Sequence, residues 1–159
     1  MHLLTNSTLS KKDLDLAISV IKSEKITKGK YTDSVEKKFT KMFNRFCLFV
    51  NSGSSANLLA LSLIINKYRK KNILKHGDEV LIPTLCWSTS LYPIIQCGLK
   101  PIFVDVDLDT LNVSLDDLEK KITPKTKCLM LVHALGNCAD MLKLTRICKK
   151  NKITLIEDS

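Results

Sequence analysis

The sequence predicts an α/β fold of three layers, with helices on both faces of a mostly parallel sheet. Three observations predict it. From residue 46 onward, short β-type runs alternate with helical patterns, the signature of βαβ units. Pro83 and Gly98 punctuate that alternation where a strand and a helix should end. The 159 residues, 45% apolar and 26% charged, suffice for one buried core and are too few for two comfortable ones.

Residues 10–22 place Leu14, Ala17, Ile18 and Ile21 at helical spacing and predict an amphipathic helix. Residues 26–32, holding Gly29, read as a loop, and residues 33–43 as a second helix. Residues 1–45 are therefore assigned to an amino-terminal helical segment and residues 46–159 to the sheet domain. The first expected strand is the run Phe46-Cys47-Leu48-Phe49-Val50, followed by a helix over residues 54–71. A second strand, residues 79–82, is stopped by Pro83, which has no N–H to give a ladder. The helix over residues 88–97 closes on Gly98. After a third strand at 101–106, Ser114 caps a short helix with Asp116 and Asp117 in its first turn, ending near Ile122. A strand at 128–132, a helix at 141–150 and a strand at 153–156 bring the count to five strands and four intervening helices. Glu157-Asp158-Ser159 then follow at the side of the sheet where α/β folds bind ligands. The expectation is an incomplete domain, with its remainder beyond Ser159.

The net charge of +9 is spread in ones and twos, as at Lys11-Lys12, Lys37-Lys38, Lys70-Lys71, Lys120-Lys121 and Lys149-Lys150. Each pair sits in or beside a helical stretch, so solvated helix faces are expected and nucleic acid is not. The six cysteines show no CxxC pair or histidine cluster, and no secretory leader opens the sequence. They read as reduced, mostly buried thiols in a cytoplasmic protein. The apolar run at residues 58–65 is far short of the ~20 residues that a membrane helix needs.

Four places carry candidate chemistry. Asn51-Ser52-Gly53-Ser54-Ser55-Ala56-Asn57 lies between a strand-like run and a long helix, where unpaired N–H groups suit a phosphate. The same residues also describe an ordinary turn with a serine N-cap. Trp87, the sole tryptophan, follows the second strand and reads either as core packing or as a ring-stacking platform. Asp158, ending the last strand, is either a solvent-facing acid or the partner of a protonated ring nitrogen. His133 ends the strand before it and reads as a supporting group. Asp105 and Asp107 begin a turn, and no metal-ligand set accompanies them.

In order, these segments resemble the DegT/StrS-type sugar-nucleotide aminotransferases, a branch of the fold type I pyridoxal 5'-phosphate (PLP) enzymes. The resemblance runs through Lys28-Gly29-Lys30-Tyr31-Thr32, Asn51-Ser52-Gly53-Ser54-Ser55-Ala56-Asn57 and Gly77-Asp78-Glu79-Val80. It continues through Trp87-Ser88-Thr89, Pro101-Ile102-Phe103-Val104-Asp105, His133 with Gly136-Asn137, and Leu155-Ile156-Glu157-Asp158. The resemblance implies the large PLP-binding domain of that fold. It implies that Gly53 and Ser54 hold the cofactor phosphate, that Trp87 stacks on the pyridine ring and that Asp158 binds the pyridinium nitrogen, with Ser55 and His133 close behind.

It also implies a homodimer acting on a nucleotide-linked keto-deoxysugar in lipopolysaccharide or related glycan synthesis, with an amino donor if the reaction is transamination. The family's Schiff-base lysine falls beyond Ser159, so this chain by itself is expected not to complete a catalytic cycle. Transamination is the leading expectation. The Asn-Ser-Gly-Ser-Ser-Ala-Asn-Leu and His-x-Leu-Gly-Asn segments look closer to the 4-keto-6-deoxysugar 3-dehydratase branch, in which a histidine replaces that lysine. The rival from another class is a non-catalytic, truncated copy.

Overall fold

Two compact units make up the chain, one reaching Phe49 and one running from Val50 to Ser159. The computed structural model describes residues 8–159. In the first unit, helix α1 (Lys11–Lys22) starts at Ser10, whose hydroxyl accepts the Asp13 N–H while the Asp13 carboxylate accepts the Ser10 N–H. This reciprocal capping box satisfies two donors that the helix cannot pair internally. Helix α2 (Lys30–Phe43), with Gly29 as its N-cap, starts three residues earlier than expected. Lys28 folds back onto Glu36 at 3.0 Å.

Residues 46–50 are not a strand, contrary to the sequence expectation. Two amides of this run are taken by side chains of α2: Cys47 N–H donates to Thr40 Oγ1 at 3.3 Å and Phe49 N–H to Glu36 Oε1 at 3.1 Å. The β-type composition is present, but a ladder partner is not found among the described residues.

The second unit opens with α3 (Gly53–Ile65), then β1 (Glu79–Pro83), α4 (Ser88–Gln96), β2 (Lys100–Val104), α5 (Leu115–Lys121), β3 (Thr126–Val132), α6 (Met141–Asn151) and β4 (Thr154–Asp158). A short 3₁₀ turn, Ala134–Gly136, follows β3. Helix α3 ends six residues earlier than expected. Asn66 is extended and its side chain accepts the Tyr68 N–H, a local turn that competes with the next helical turn.

All strands are parallel, in the order β2-β1-β3-β4. Alternate residues of the central strands face opposite layers. Val80, Ile82, Cys128 and Met130 pack with Leu61, Ile64 and Ile94 of α3 and α4. Leu81, Leu129 and Leu131 pack with Leu118 of α5 and with Leu144 and Ile147 of α6. Pro83 is tolerated in a central strand because β3 pairs β1 only as far as Leu81. The chain order reverses between β1 and β3, so the loops leaving their carboxyl ends flank a crevice.

Gly98 occupies the left-handed region, φ +71°, just past the α4 cap at Cys97. A Cβ there would stand 2.5 Å from His76 Cδ2. His76 is exposed and can swing aside, so the backbone strain decides. Gly98→Ala should lower stability by about 1–2 kcal/mol, read as a drop in the thermal unfolding midpoint.

At the opposite end of the sheet, the buried Glu79 carboxylate accepts the Thr123 hydroxyl at 2.6 Å and faces Lys100 Nζ at 3.6 Å. The Thr123 hydrogen bond, reinforced by Lys100 against the opposing effect of burial, holds this carboxyl below the usual carboxylate range. A folded-state pKa below the unfolded one means stability that is present above the ordinary value of 4.5 and lost as pH falls through the folded value. Urea unfolding midpoints of wild type should therefore fall more steeply below pH 4.5 than those of Glu79→Gln.

Candidate functional site

The N-terminal first turns of two helices converge on the end of the last strand. Asn57, one turn into α3, donates from Nδ2 to Asp158 Oδ2 at 2.8 Å. Ser90, in the first turn of α4, donates from Oγ to the same oxygen at 2.6 Å. Both donors are buried. Sequence reasoning quoted Asn57 only as part of a motif and assigned Ser90 no role. Asn57 did carry a signal, as the one amide in the otherwise apolar stretch Ala56-Asn57-Leu58-Leu59-Ala60-Leu61.

Helix α3 begins where the phosphate reading needs a helix to begin. Ser52 is extended and caps it, its hydroxyl accepting the Ser55 N–H at 3.2 Å. Ala56 N–H closes on the Ser52 carbonyl. The N–H groups of Gly53 and Ser54 have no acceptor among the described residues, and a Cβ placed on Gly53 would meet nothing within 4 Å. The start of the helix thus presents free donors to open space, the arrangement that suits an anion. Ser55 is engaged in capping, its Oγ lying 3.3 Å from that of Ser52.

Trp87 is the N-cap residue of α4, and its side chain makes no capping bond. Its indole belongs to no core, since the residue is 76% exposed. Three residues later on the same helix, Ser90 reaches Asp158, so the tryptophan and the carboxylate are tied through one rigid turn. Between β1 and Trp87, the Cys86 thiol is pushed up by burial and then by the Asp158 charge, which keeps it protonated and non-nucleophilic.

His133 leaves β3 with its backbone N–H on the Asp158 carbonyl at 3.0 Å. Its Nδ1 accepts the Ala139 N–H at 3.2 Å. In the neutral ring the proton therefore sits on Nε2, which faces Glu157 Oε2 at 3.2 Å. Both nitrogens are occupied, so the residue fixes the loop after β3 and orients Glu157. The structure places Gly53, Ser54, Trp87 and Asp158 on elements that meet through Asn57 and Ser90. Asp105 and Asp107 go elsewhere: Asp107 Oδ1 accepts the Asp109 and Thr110 N–H groups in a turn. No group of three or more metal-ligating side chains occurs among the described residues. No helix there is long and apolar enough to cross a membrane.

Comparison with known proteins bears on the same frame. The chain is 39% identical over 157 residues to a GDP-4-keto-6-deoxy-D-mannose 3-dehydratase of Yersinia pseudotuberculosis, covering 98% of this chain and 39% of that protein. It is 34% identical over 133 residues to a GDP-perosamine synthase of Vibrio cholerae, covering 83% of this chain and 34% of that protein. The solved E. coli GDP-4-keto-6-deoxy-D-mannose-3-dehydratase with bound hydrated PLP superposes with a TM-score of 0.88 at 36% identity, over 98% of this chain and 40% of that one. The chain thus spans about two fifths of the length of these dehydratases. Its sheet and flanking helices are those of the fold type I PLP enzymes. The model of the DegT/DnrJ/EryC1/StrS aminotransferase family matches residues 7–159, nearly the whole sequence, and the chain belongs to that family.

Proposed function

We propose that the protein carrying this chain binds PLP at the carboxyl ends of β1, β3 and β4 and removes the C3 hydroxyl of a nucleotide-linked 4-keto-6-deoxysugar. The observation that carries the reading is the convergence of α3 and α4 on one oxygen of Asp158, which leaves the other oxygen open. The donor set fits the cofactor. Gly53 and Ser54 offer unpaired N–H groups to a phosphate, Trp87 offers an exposed ring face, and Asp158 offers a carboxylate to a protonated ring nitrogen.

When bound, PLP supplies an electron sink for charge developing on the sugar carbon. The chain's own residues bind and orient. Asp158 holds the proton on the ring nitrogen, the indole of Trp87 fixes the ring plane, and the start of α3 anchors the phosphate. His133, with both nitrogens engaged, keeps Glu157 and the loop after β3 in register with Asp158.

The dehydration reading is supported by the 39% identity to the Yersinia 3-dehydratase against 34% to the Vibrio synthase. It is also supported by the segments around Asn57 and His133 that look closer to the dehydratase branch. Transamination, the leading expectation from sequence, stands as the second reading on the strength of the family as a whole. A homodimer and an amino donor belong to either reading. The test is to incubate the full-length protein with PLP, glutamate and GDP-4-keto-6-deoxymannose and to analyse the sugar by mass spectrometry. A product lighter by one oxygen supports dehydration, with the two electrons for the net loss of oxygen supplied by glutamate, which leaves as 2-oxoglutarate and ammonia, and a 4-amino sugar supports transamination. Unchanged substrate together with no PLP binding sinks both.

A further inference from the structure

We infer that Asn57 and Ser90 are positioning residues for the cofactor's ring nitrogen: they saturate Oδ2 of Asp158 and leave Oδ1 as the single carboxylate oxygen free to take the pyridinium N–H. The inference rests on the PLP reading above.

The two donors share one acceptor atom, at 2.8 Å and 2.6 Å. Two bonds on one oxygen fix the carboxylate torsion and use both of its lone pairs, leaving those of Oδ1 open. Asn57 is 6% exposed and Ser90 1%, so neither donor has water to fall back on. Hydrogen bonds held out of water in this way are stronger, and costly to break. Alternatives within the chain are poor. The amide of Asn57 otherwise reaches only the Thr89 carbonyl, at 3.5 Å, and the Ser90 hydroxyl has no second acceptor among the described residues.

The donors are also neutral. No lysine or arginine lies within ion-pair distance of Asp158 among the described residues, and the adjoining Cys86 stays a thiol. A guanidinium in place of either donor would orient the carboxylate and cancel its charge. An amide and a hydroxyl orient it and leave the charge for the one remaining partner, a cationic ring nitrogen. The placement of the donors adds register. Asn57 follows Gly53 by one helical turn and Ser90 follows Trp87 by three residues, so the phosphate anchor and the stacking ring each send one donor to the same atom.

The experiment loads the full-length protein with PLP labelled with ¹⁵N at the ring. It follows the nitrogen shift against pH and measures PLP affinity by fluorescence. Asn57→Leu and Ser90→Ala should each lower the pH at which the ring nitrogen loses its proton by about one unit and weaken PLP binding about tenfold. Ser90→Thr, which keeps the hydroxyl, should titrate close to wild type. Ser90→Cys keeps the volume and replaces a strong donor by a weak one, and is read in place of Ser90→Ala if the latter does not fold. The inference is overturned if Asp158→Ala removes the protonated signal while Asn57→Leu and Ser90→Ala, or Ser90→Cys in its place, titrate like wild type. If Asp158→Ala itself changes nothing, the PLP reading fails, and this inference with it.

Discussion

Replacing Asp158 with asparagine in the full-length protein lowers turnover about a hundredfold to a thousandfold, even at saturating PLP. Asparagine keeps the size and one acceptor oxygen but carries no charge, so a ring nitrogen facing it has little reason to stay protonated. The two donors already aimed at Oδ2 make the change worse. If the new amide turns its oxygen toward Asn57 and Ser90, its NH₂ points at the ring. If it turns the other way, an NH₂ meets two buried donors. The measurement is kcat over a PLP titration, beside the absorbance of the bound cofactor. A variant within twofold of wild type would remove Asp158 from the chemistry.

Leu129→Ala should destabilise the sheet domain by about 2–5 kcal/mol. Leu129 is 1% exposed and stands in β3 between Leu81 of β1 and Leu155 of β4, facing α5 and α6. Removing its side chain leaves a hole walled by two strands and two helices, where little can collapse inward. Against the roughly 5–15 kcal/mol that holds a domain of this size, that loss is a large share. Leu63→Ala, at a position 55% exposed on α3, should stay within about 0.5 kcal/mol and serves as the control. Urea unfolding midpoints separate the two outcomes.

Much of this architecture was legible in the order of residues. The αβα layering follows from two periodicities, and Gly98 and Pro83 ended a helix and a strand as their backbone chemistry requires. Residues 46–50 misled because β-type composition describes a tendency, whereas a strand also needs a partner. Their amides found side chains of α2 instead. The overlong reading of α3 failed at Asn66, a residue whose side chain can replace a helical turn with its own. For the candidate site, Gly53, Ser54, Trp87 and Asp158 were proposed from motifs, and those motifs stand at the ends of elements. Asn57 and Ser90 had no role assigned to them because their meaning lies in a residue 101 and 68 positions away. No local pattern encodes that distance. The exposure of Trp87 likewise needed coordinates, since a lone tryptophan in sequence is as readily a core residue.

Strand β4 pairs with β3 alone among the described residues, and Asp158 is its last residue. Asp158 is held by the His133 N–H on its backbone carbonyl and by two side-chain donors on its Oδ2. Amide exchange at His133, whose N–H bonds to the Asp158 carbonyl, then becomes a gauge of occupancy: a ligand that grips the carboxylate slows it while the middle of β1 stays unchanged.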